Sequence, residues 1–310
     1  MRFIVALLIL AGVGSTYAQS PTRELALGVD NDYPFMTDQY YTAGMDVSYR
    51  FLVQSKIPLI HSPDSSKTIF SFHAGIKLFT PKNVDTRDTR YMDRPYCGWN
   101  FVNAEFLNFR RKNAGNSFAI QVGVVGHETG MGQLQQWLHK TINLYSIEGW
   151  DSQISNEFVV NANVNHTHGF QVRKGVEIVL SSGAWVGTGT NKISQEFTVR
   201  LFRFNPLSQS SYMNASLSNV SSRKGKPELF FYASMGGDYV LSNIFIQGSL
   251  FQNHRSTFTT SLNPWLFSQR IGIQYASNRI SVGLACIHLS KETTRVSVHN
   301  YASASIAYRF

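Results

Sequence analysis

The last ten residues, Tyr301-Ala302-Ser303-Ala304-Ser305-Ile306-Ala307-Tyr308-Arg309-Phe310, alternate with a period of two. Ala302, Ala304, Ile306, Tyr308 and Phe310 share one face, while Ser303, Ser305 and Arg309 share the other. Period two marks a β-strand, because successive side chains point to opposite sides of a sheet. The pattern recurs upstream. Phe118, Ile120, Val122 and Val124 oppose Ala119, Gln121 and Gly123; Val160, Ala162 and Val164 oppose Asn161, Asn163 and Asn165; Phe197, Val199 and Leu201 oppose Glu196, Thr198 and Arg200. A water-soluble sandwich shows such alternation, and so does a transmembrane barrel.

Three features favour the barrel. The strands are long, near the ~9–11 residues needed to cross a bilayer at a tilt. Aromatic residues sit near strand ends, as interfacial girdles require. The chain ends on a strand closed by Phe310, an ending that resembles the sorting signal of bacterial outer-membrane barrels. Closure also leaves no unpaired backbone edge in lipid. The expectation is an all-β protein, a transmembrane antiparallel β-barrel of about twelve strands. They lie near 24–32, 41–52, 68–79, 99–110, 117–126, 157–168, 175–186, 193–204, 228–240, 265–277, 279–289 and 301–310. With an even count and periplasmic termini, links after odd strands are extracellular and links after even strands periplasmic.

Composition agrees. The chain has 310 residues, 43% hydrophobic and 15% charged, with 22 Phe, 14 Tyr and 5 Trp, which excludes disorder. Its formal charge of +9 is scattered rather than clustered, which argues against a nucleic-acid partner. Arg2, the apolar run Phe3 to Val13 and the small-residue site Thr16-Tyr17-Ala18 read as an export signal over 1–18, leaving 19–310 as the barrel domain. Cys97 and Cys286 read as free thiols. His166 and His168 share a strand face but lack a third metal ligand.

One segment departs from the strand pattern. Residues 132–142, GQLQQWLHKTI, read as a short helix with Leu134, Trp137, Leu138 and Ile142 at helical spacing. Gln135 and His139 stand one turn apart on one face. Parity puts this helix in the extracellular link after the fifth strand. Asp30-Asn31-Asp32 at the end of the first strand and Tyr40-Tyr41-Thr42 at the start of the second fall on the same side. Each has an ordinary reading: Asp and Asn make turns, Thr suits strands, and a lone His on a loop helix is commonly just packed or solvated.

In order, Asn31-Asp32, Tyr41-Thr42-Ala43-Gly44, Asp93-Arg94-Pro95-Tyr96-Cys97-Gly98-Trp99, Gln135-x-x-x-His139 and Gly149-Trp150-Asp151-x-Gln153-x-x-Asn156 resemble the lipid A 3′-O-deacylases of Gram-negative outer membranes, the LpxR type. The resemblance implies a twelve-stranded barrel with an active site at the outer rim, facing the cell exterior. It implies calcium-dependent hydrolysis of the ester holding the 3′-acyloxyacyl chain, with lipid A of the outer leaflet as the partner and no protein partner. It places the functional residues on Asn31, Asp32, Thr42, Gln135 and His139. On this reading His139 deprotonates a water, and Asp32 helps hold a calcium ion, which prefers oxygen ligands. Lys82, Arg87, Arg90 and Arg94 stand as candidates for substrate phosphates. The chain departs from the family's pattern at Cys97, at Gly126-His127 before the helix, and at Tyr145.

The competing reading is a non-enzymatic barrel, a small porin or adhesion protein, with a charge-lined pore and no need for His139. A third reading, an outer-membrane phospholipase, requires a His-x-Ser pattern and is set aside on the expectation that none of the histidines has a Ser two residues on.

Overall fold

Twelve antiparallel strands close on themselves in chain order, with the first hydrogen-bonded to the last, in a computed structural model that describes residues 21–53, 67–218, 226–249 and 256–310. They are β1 Arg23–Asn31, β2 Tyr40–Leu52, β3 Lys67–Thr80, β4 Cys97–Arg111, β5 Ala114–Val125, β6 Glu157–Arg173, β7 Val176–Gly187, β8 Thr190–Arg203, β9 Glu228–Asn243, β10 Trp265–Ala276, β11 Ile280–Leu289 and β12 His299–Arg309. Each strand expected from alternation is present. β6 runs five residues past the expected end at 168, since Gly169 does not break it. There the missing Cβ leaves space for the Glu177 carboxylate. The export signal expected over 1–18 lies outside the described residues.

The apolar faces named from the sequence point outward. Val160, Val164, Phe197, Leu201, Ile306 and Tyr308 are all exposed, and Ile271 is 70% exposed. A sheet with its apolar face outward and its polar face inward is built for a bilayer. No helix among the described residues is long and apolar enough to cross a membrane.

The interior is filled at both ends. At the end carrying the termini, the β8–β9 link folds back into the lumen. Its Leu207, Ala215 and Leu217 pack on inward-facing Ile69, Leu107, Phe109 and Val179. Lys67 Nζ donates to the Ser208 carbonyl at 2.9 Å and to that of Ala215 at 2.5 Å. At the opposite end, α2 (Ile244–Gln247) inserts Phe245 among Tyr41, Phe79 and Trp99. Between these two packed ends, among the described residues, the lumen keeps a cavity of about 350 Å³ whose lining includes Lys77, Lys192 and Asp238.

The expected loop helix is α1, Met131–Thr141, between β5 and β6. Its orientation is inverted relative to an ordinary surface helix. Met131, Gln135 and His139 are buried at a spacing of four, while Leu134, Trp137, Leu138 and Ile142 are exposed. It lies against the outer side of the wall. Gly98 has the outward parity of exposed Val102, and a Cβ there would stand 2.7 Å from the Met131 side chain. Outward-facing Leu78 packs with Met131, Ile147 and Trp150.

Candidate active site

β1 and β2 are joined by a short loop whose shape is set by two non-glycine residues in the left-handed region, Met36 (φ 58°) and Tyr40 (φ 60°). Each costs of order 1–3 kcal/mol, which persists where the surroundings over-determine it. Between them Asp38 is directed at the helix. A register shift between Tyr41 and Ala43 leaves Thr42 as the extra residue of a bulge on β2. Bulges re-aim side chains, and Thr42 turns towards the loop.

Asp38 joins the pieces. Its Oδ1 accepts from Thr42 Oγ1 at 2.6 Å and from Gln135 Nε2 at 3.1 Å. Its Oδ2 lies 3.2 Å from His139 Nε2 and accepts from the Tyr145 hydroxyl at 2.9 Å. Four polar groups, from β2, from α1 and from the segment after it, thus meet at one carboxylate. Burial, with the Asp38 charge beside it, pushes the Tyr145 phenol up, so it stays a donor. Trp150 Nε1 donates to Gln135 Oε1 at 2.9 Å. Indole is a donor only, which turns the Gln135 amide nitrogen towards Asp38.

Asp32 sits behind this centre, 1% exposed. Its Oδ2 accepts from Thr37 Oγ1 (2.8 Å) and the Gln39 amide (2.9 Å), and its Oδ1 is 2.9 Å from Thr42 Oγ1. Burial pushes its carboxyl up to about 6, against these hydrogen bonds and with some help from Asp38.

Proton accounting shows what is unusual. Thr42 has one hydroxyl proton facing two carboxylate oxygens, so a further proton or a cation must complete the balance. His139 Nδ1 lies 3.0 Å from the Tyr145 carbonyl, which can only accept, so Nδ1 carries a proton. Nε2 then faces Asp38 either with its lone pair or with a second proton. Asp38 Oδ2 and His139 Nε2 therefore face each other at 3.2 Å across a position that one proton can fill.

The structure thus brings together four of the five expected residues: Asp32, Thr42, Gln135 and His139. Asn31 stands apart. It shares the outward parity of Val29, and its Oδ1 accepts from the Tyr33 amide at 2.8 Å. Asp38 and Tyr145 were missed as members of the site. Asp38 lies only four residues before Thr42, but an acid in a short loop reads as a turn former.

Residues 3–310 match the model of a family described as outer membrane protein LpxR. The chain belongs to the LpxR family. Among solved structures, LpxR from Salmonella typhimurium superposes with a TM-score of 0.74 at 19% identity, covering 93% of this chain and 100% of that one. The β domain of the Bordetella autotransporter BrkA gives 0.49 at 8% identity, covering 95% and 100%. The NalP translocator domain from Neisseria meningitidis gives 0.44 at 9%, covering 100% and 94%. No curated protein matches the chain. Family and fold together place it in the outer membrane.

Within this LpxR-family barrel, other matched motif residues brace the segments around the helix. Asp93 accepts from the Tyr40 hydroxyl (2.8 Å) and the Lys82 amide (2.9 Å). Asn156 Oδ1 accepts from the Glu128 amide at 3.0 Å, just before α1. Gly149 takes φ +83°, and a Cβ there would meet the Thr86 carbonyl at 2.5 Å. Of the basic candidates, Lys82, Arg87 and Arg90 are exposed, with Arg87 on Glu148 and Arg90 on Asp88. Arg94 is different. It is fully buried, its guanidinium 4.6 Å from the Phe79 ring centroid, where it supports the Phe245 cap rather than meeting a phosphate.

Cys97 is buried and Cys286 exposed, and both are free. His166 is held by Asn116 at 2.8 Å, and the His168 ring lies tilted against Phe170, centroids 4.3 Å apart. Two His-x-Ser pairs are present, contrary to the sequence reading that set the phospholipase aside. His254 lies outside the described residues. His288 bonds Asn300 at 2.7 Å, while Ser290 Oγ accepts from the Phe267 amide, so that serine serves the sheet.

Proposed function

We propose that this chain is an ester hydrolase that removes the 3′-linked acyloxyacyl chain from lipid A, with its site facing the cell exterior. The observation that carries the reading is the meeting of Asp32, Thr42, Asp38, Gln135 and His139 between the outer side of the wall and α1, at the rim opposite the termini. The joint His139–Asp38 base takes a proton from a water. The water oxygen bonds to the ester carbonyl carbon, the bond from that carbon to the sugar 3′ oxygen breaks, and the proton passes to that oxygen. The products are a free acyloxyacyl acid and a 3′-hydroxyl. Gln135 and Tyr145 hold Asp38, Thr42 links it to Asp32, and Asn31 shapes the turn at Tyr33. Exposed Lys82, Arg87 and Arg90 suit the lipid's phosphates.

The residues present suit a calcium ion in donor type. Asp32, Asp38 and Thr42 offer oxygen only, and the proton balance around Thr42 has room for a cation. Among the described residues no three acidic, His or Cys side chains form a metal-binding group, so the remaining ligands would be water or lipid oxygens. When bound, the ion would supply positive charge near the developing oxyanion.

The test is expression in cells whose lipid A bears a 3′-acyloxyacyl group, followed by mass spectrometry. Loss of that group, abolished in His139→Ala and by calcium chelation, is expected. Unchanged lipid A in calcium-replete membranes overturns the assignment; activity that survives chelation overturns calcium alone.

A further inference from the structure

The outer wall below α1 carries a groove of about 430 Å³ that nothing above uses. Met45, Ile76, Val102, Val124 and Phe158 line it together with one polar residue, Asn100. The groove belongs to the lipid side: Met45, Val102 and Phe158 are among the exposed apolar residues of the wall, and Phe158 is 64% exposed. Lumen-facing Tyr41, Lys77 and Trp99 line a different cavity.

The upper edge of the groove is attached to the site. Asn100 Nδ2 donates to the Thr129 carbonyl at 3.0 Å, two residues before α1 begins. Ile76 packs against the cluster that contains Met131. From Met131 the buried face runs through Gln135 to His139, eight residues or about 12 Å of helix. One leaflet contributes about 15 Å of hydrocarbon, half of a ~30 Å core. One lipid can thus place an ester beside His139 and a chain in the groove. The exposed Leu134, Trp137, Leu138 and Ile142 continue the apolar surface beside that path.

We propose that this groove seats an acyl chain of the lipid A molecule whose ester meets His139, and that it fixes which chain is presented. The inference rests on the deacylase reading for the identity of its lipid. The apolar lining, its continuity with the lipid-facing wall and its junction with the helix argue for hydrocarbon as the occupant. A soluble or protein ligand would have to cross the leaflet to reach it.

The full-length protein, reconstituted in phosphatidylcholine vesicles containing lipid A, carries a photoreactive benzoylphenylalanine in place of Val102. A second sample carries it in place of Ile271, on β10 away from the groove. Mass spectrometry of the irradiated protein is expected to show lipid A adducts at 102 several-fold above those at 271. Equal yields, or phosphatidylcholine as the preferred adduct at 102, overturn the proposal. Filling the groove with Ala74→Phe, on protein whose heat-modifiable gel mobility shows a folded barrel, is expected to remove the enrichment. Given activity, it should raise KM about tenfold with kcat unchanged, as loss of uniform binding does. Enriched adducts without any deacylation would retire the enzyme reading and leave a lipid A groove; deacylation with equal adducts would retire the groove alone.

Discussion

The two rims of the barrel treat buried charge in opposite ways. At the rim that carries the termini, Glu24 accepts from Arg50 and Arg309, each at 2.7 Å. Arg309 also donates to Ser281 Oγ and to the Asn278 and Ser277 carbonyls. Arg200 pairs with Glu177 and donates to Ser210 Oγ, while Glu228 accepts from the Asn205 and Ser211 amides and the Ser210 and Ser211 hydroxyls. Donors and acceptors match, as they must where desolvation is expensive. At the opposite rim the carboxylates of Asp32 and Asp38 share one threonine proton, and the His139 imidazole faces Asp38 as well. Matched charge serves as scaffold, whereas mismatched charge can move protons.

The largest contrast should come from exchanging the insult between rims. His139→Ala is expected to lower the deacylation rate by about 10²–10⁴-fold, the range for losing a positioned general base, with unfolding little changed. Arg200→Met should do the reverse. It leaves Glu177 buried without its partner, at a cost of about 3–5 kcal/mol, with the chemistry at the far rim intact. Urea unfolding and mass spectrometry of lipid A, run on both variants, measure the crossed pattern. An Arg200→Met barrel that stays equally stable breaks the comparison.

A smaller effect separates Asp32 from the matched charges by pH. Its carboxyl sits at about 6 in the fold against 3.8 when free, so the folded chain holds the proton more tightly. The stability this contributes is complete below pH 3.8 and is lost as pH rises through 6, a total of about 3 kcal/mol. Between pH 4 and pH 7 the wild type should therefore lose more stability than Asp32→Asn, as read by urea midpoints. If calcium binds there, millimolar calcium should shrink the difference by favouring the ionised form. Equal pH slopes in the two proteins would show that burial of Asp32 is relieved in solution.

The sequence exposed the barrel far better than the site. Alternation such as Val160-Asn161-Ala162-Asn163-Val164 records lipid on one side and a polar lumen on the other, a contrast strong enough to locate all twelve strands. The luminal plug was invisible because Leu207, Ala215 and Leu217 are spaced by an irregular turn, not by a period. The helix was legible from its stripe of Leu134, Trp137 and Leu138, but the side that stripe faces was not. In a membrane rim the apolar side turns outward and the polar side becomes the buried one. Asp32, Thr42, Gln135 and His139 were found through the family's pattern, and parity put them on one rim. Asp38 escaped because its role depends on left-handed Met36 and Tyr40 and on the bulge at Thr42, and no local periodicity encodes any of these.

The smallest expected effect falls on Asn31, and it sharpens the boundary of the mismatched region. Its side chain bonds the Tyr33 amide rather than Asp38, so its contribution passes through the shape of the 32–40 loop. Asn31→Asp keeps an acceptor for that amide and should leave stability and rate nearly unchanged. Asn31→Ala removes the acceptor, with a loss near 1 kcal/mol in stability, the usual worth of such a bond, and a rate loss below about tenfold. The pair of variants compares a shaping role with a chemical one on lipid A mass spectra. If Asn31→Asp were as inactive as His139→Ala, the amide itself would have to touch the substrate, and the reactive region would extend to the outward face of β1. Asn31 and the exposed Val29 below it would then form one continuous surface for the lipid.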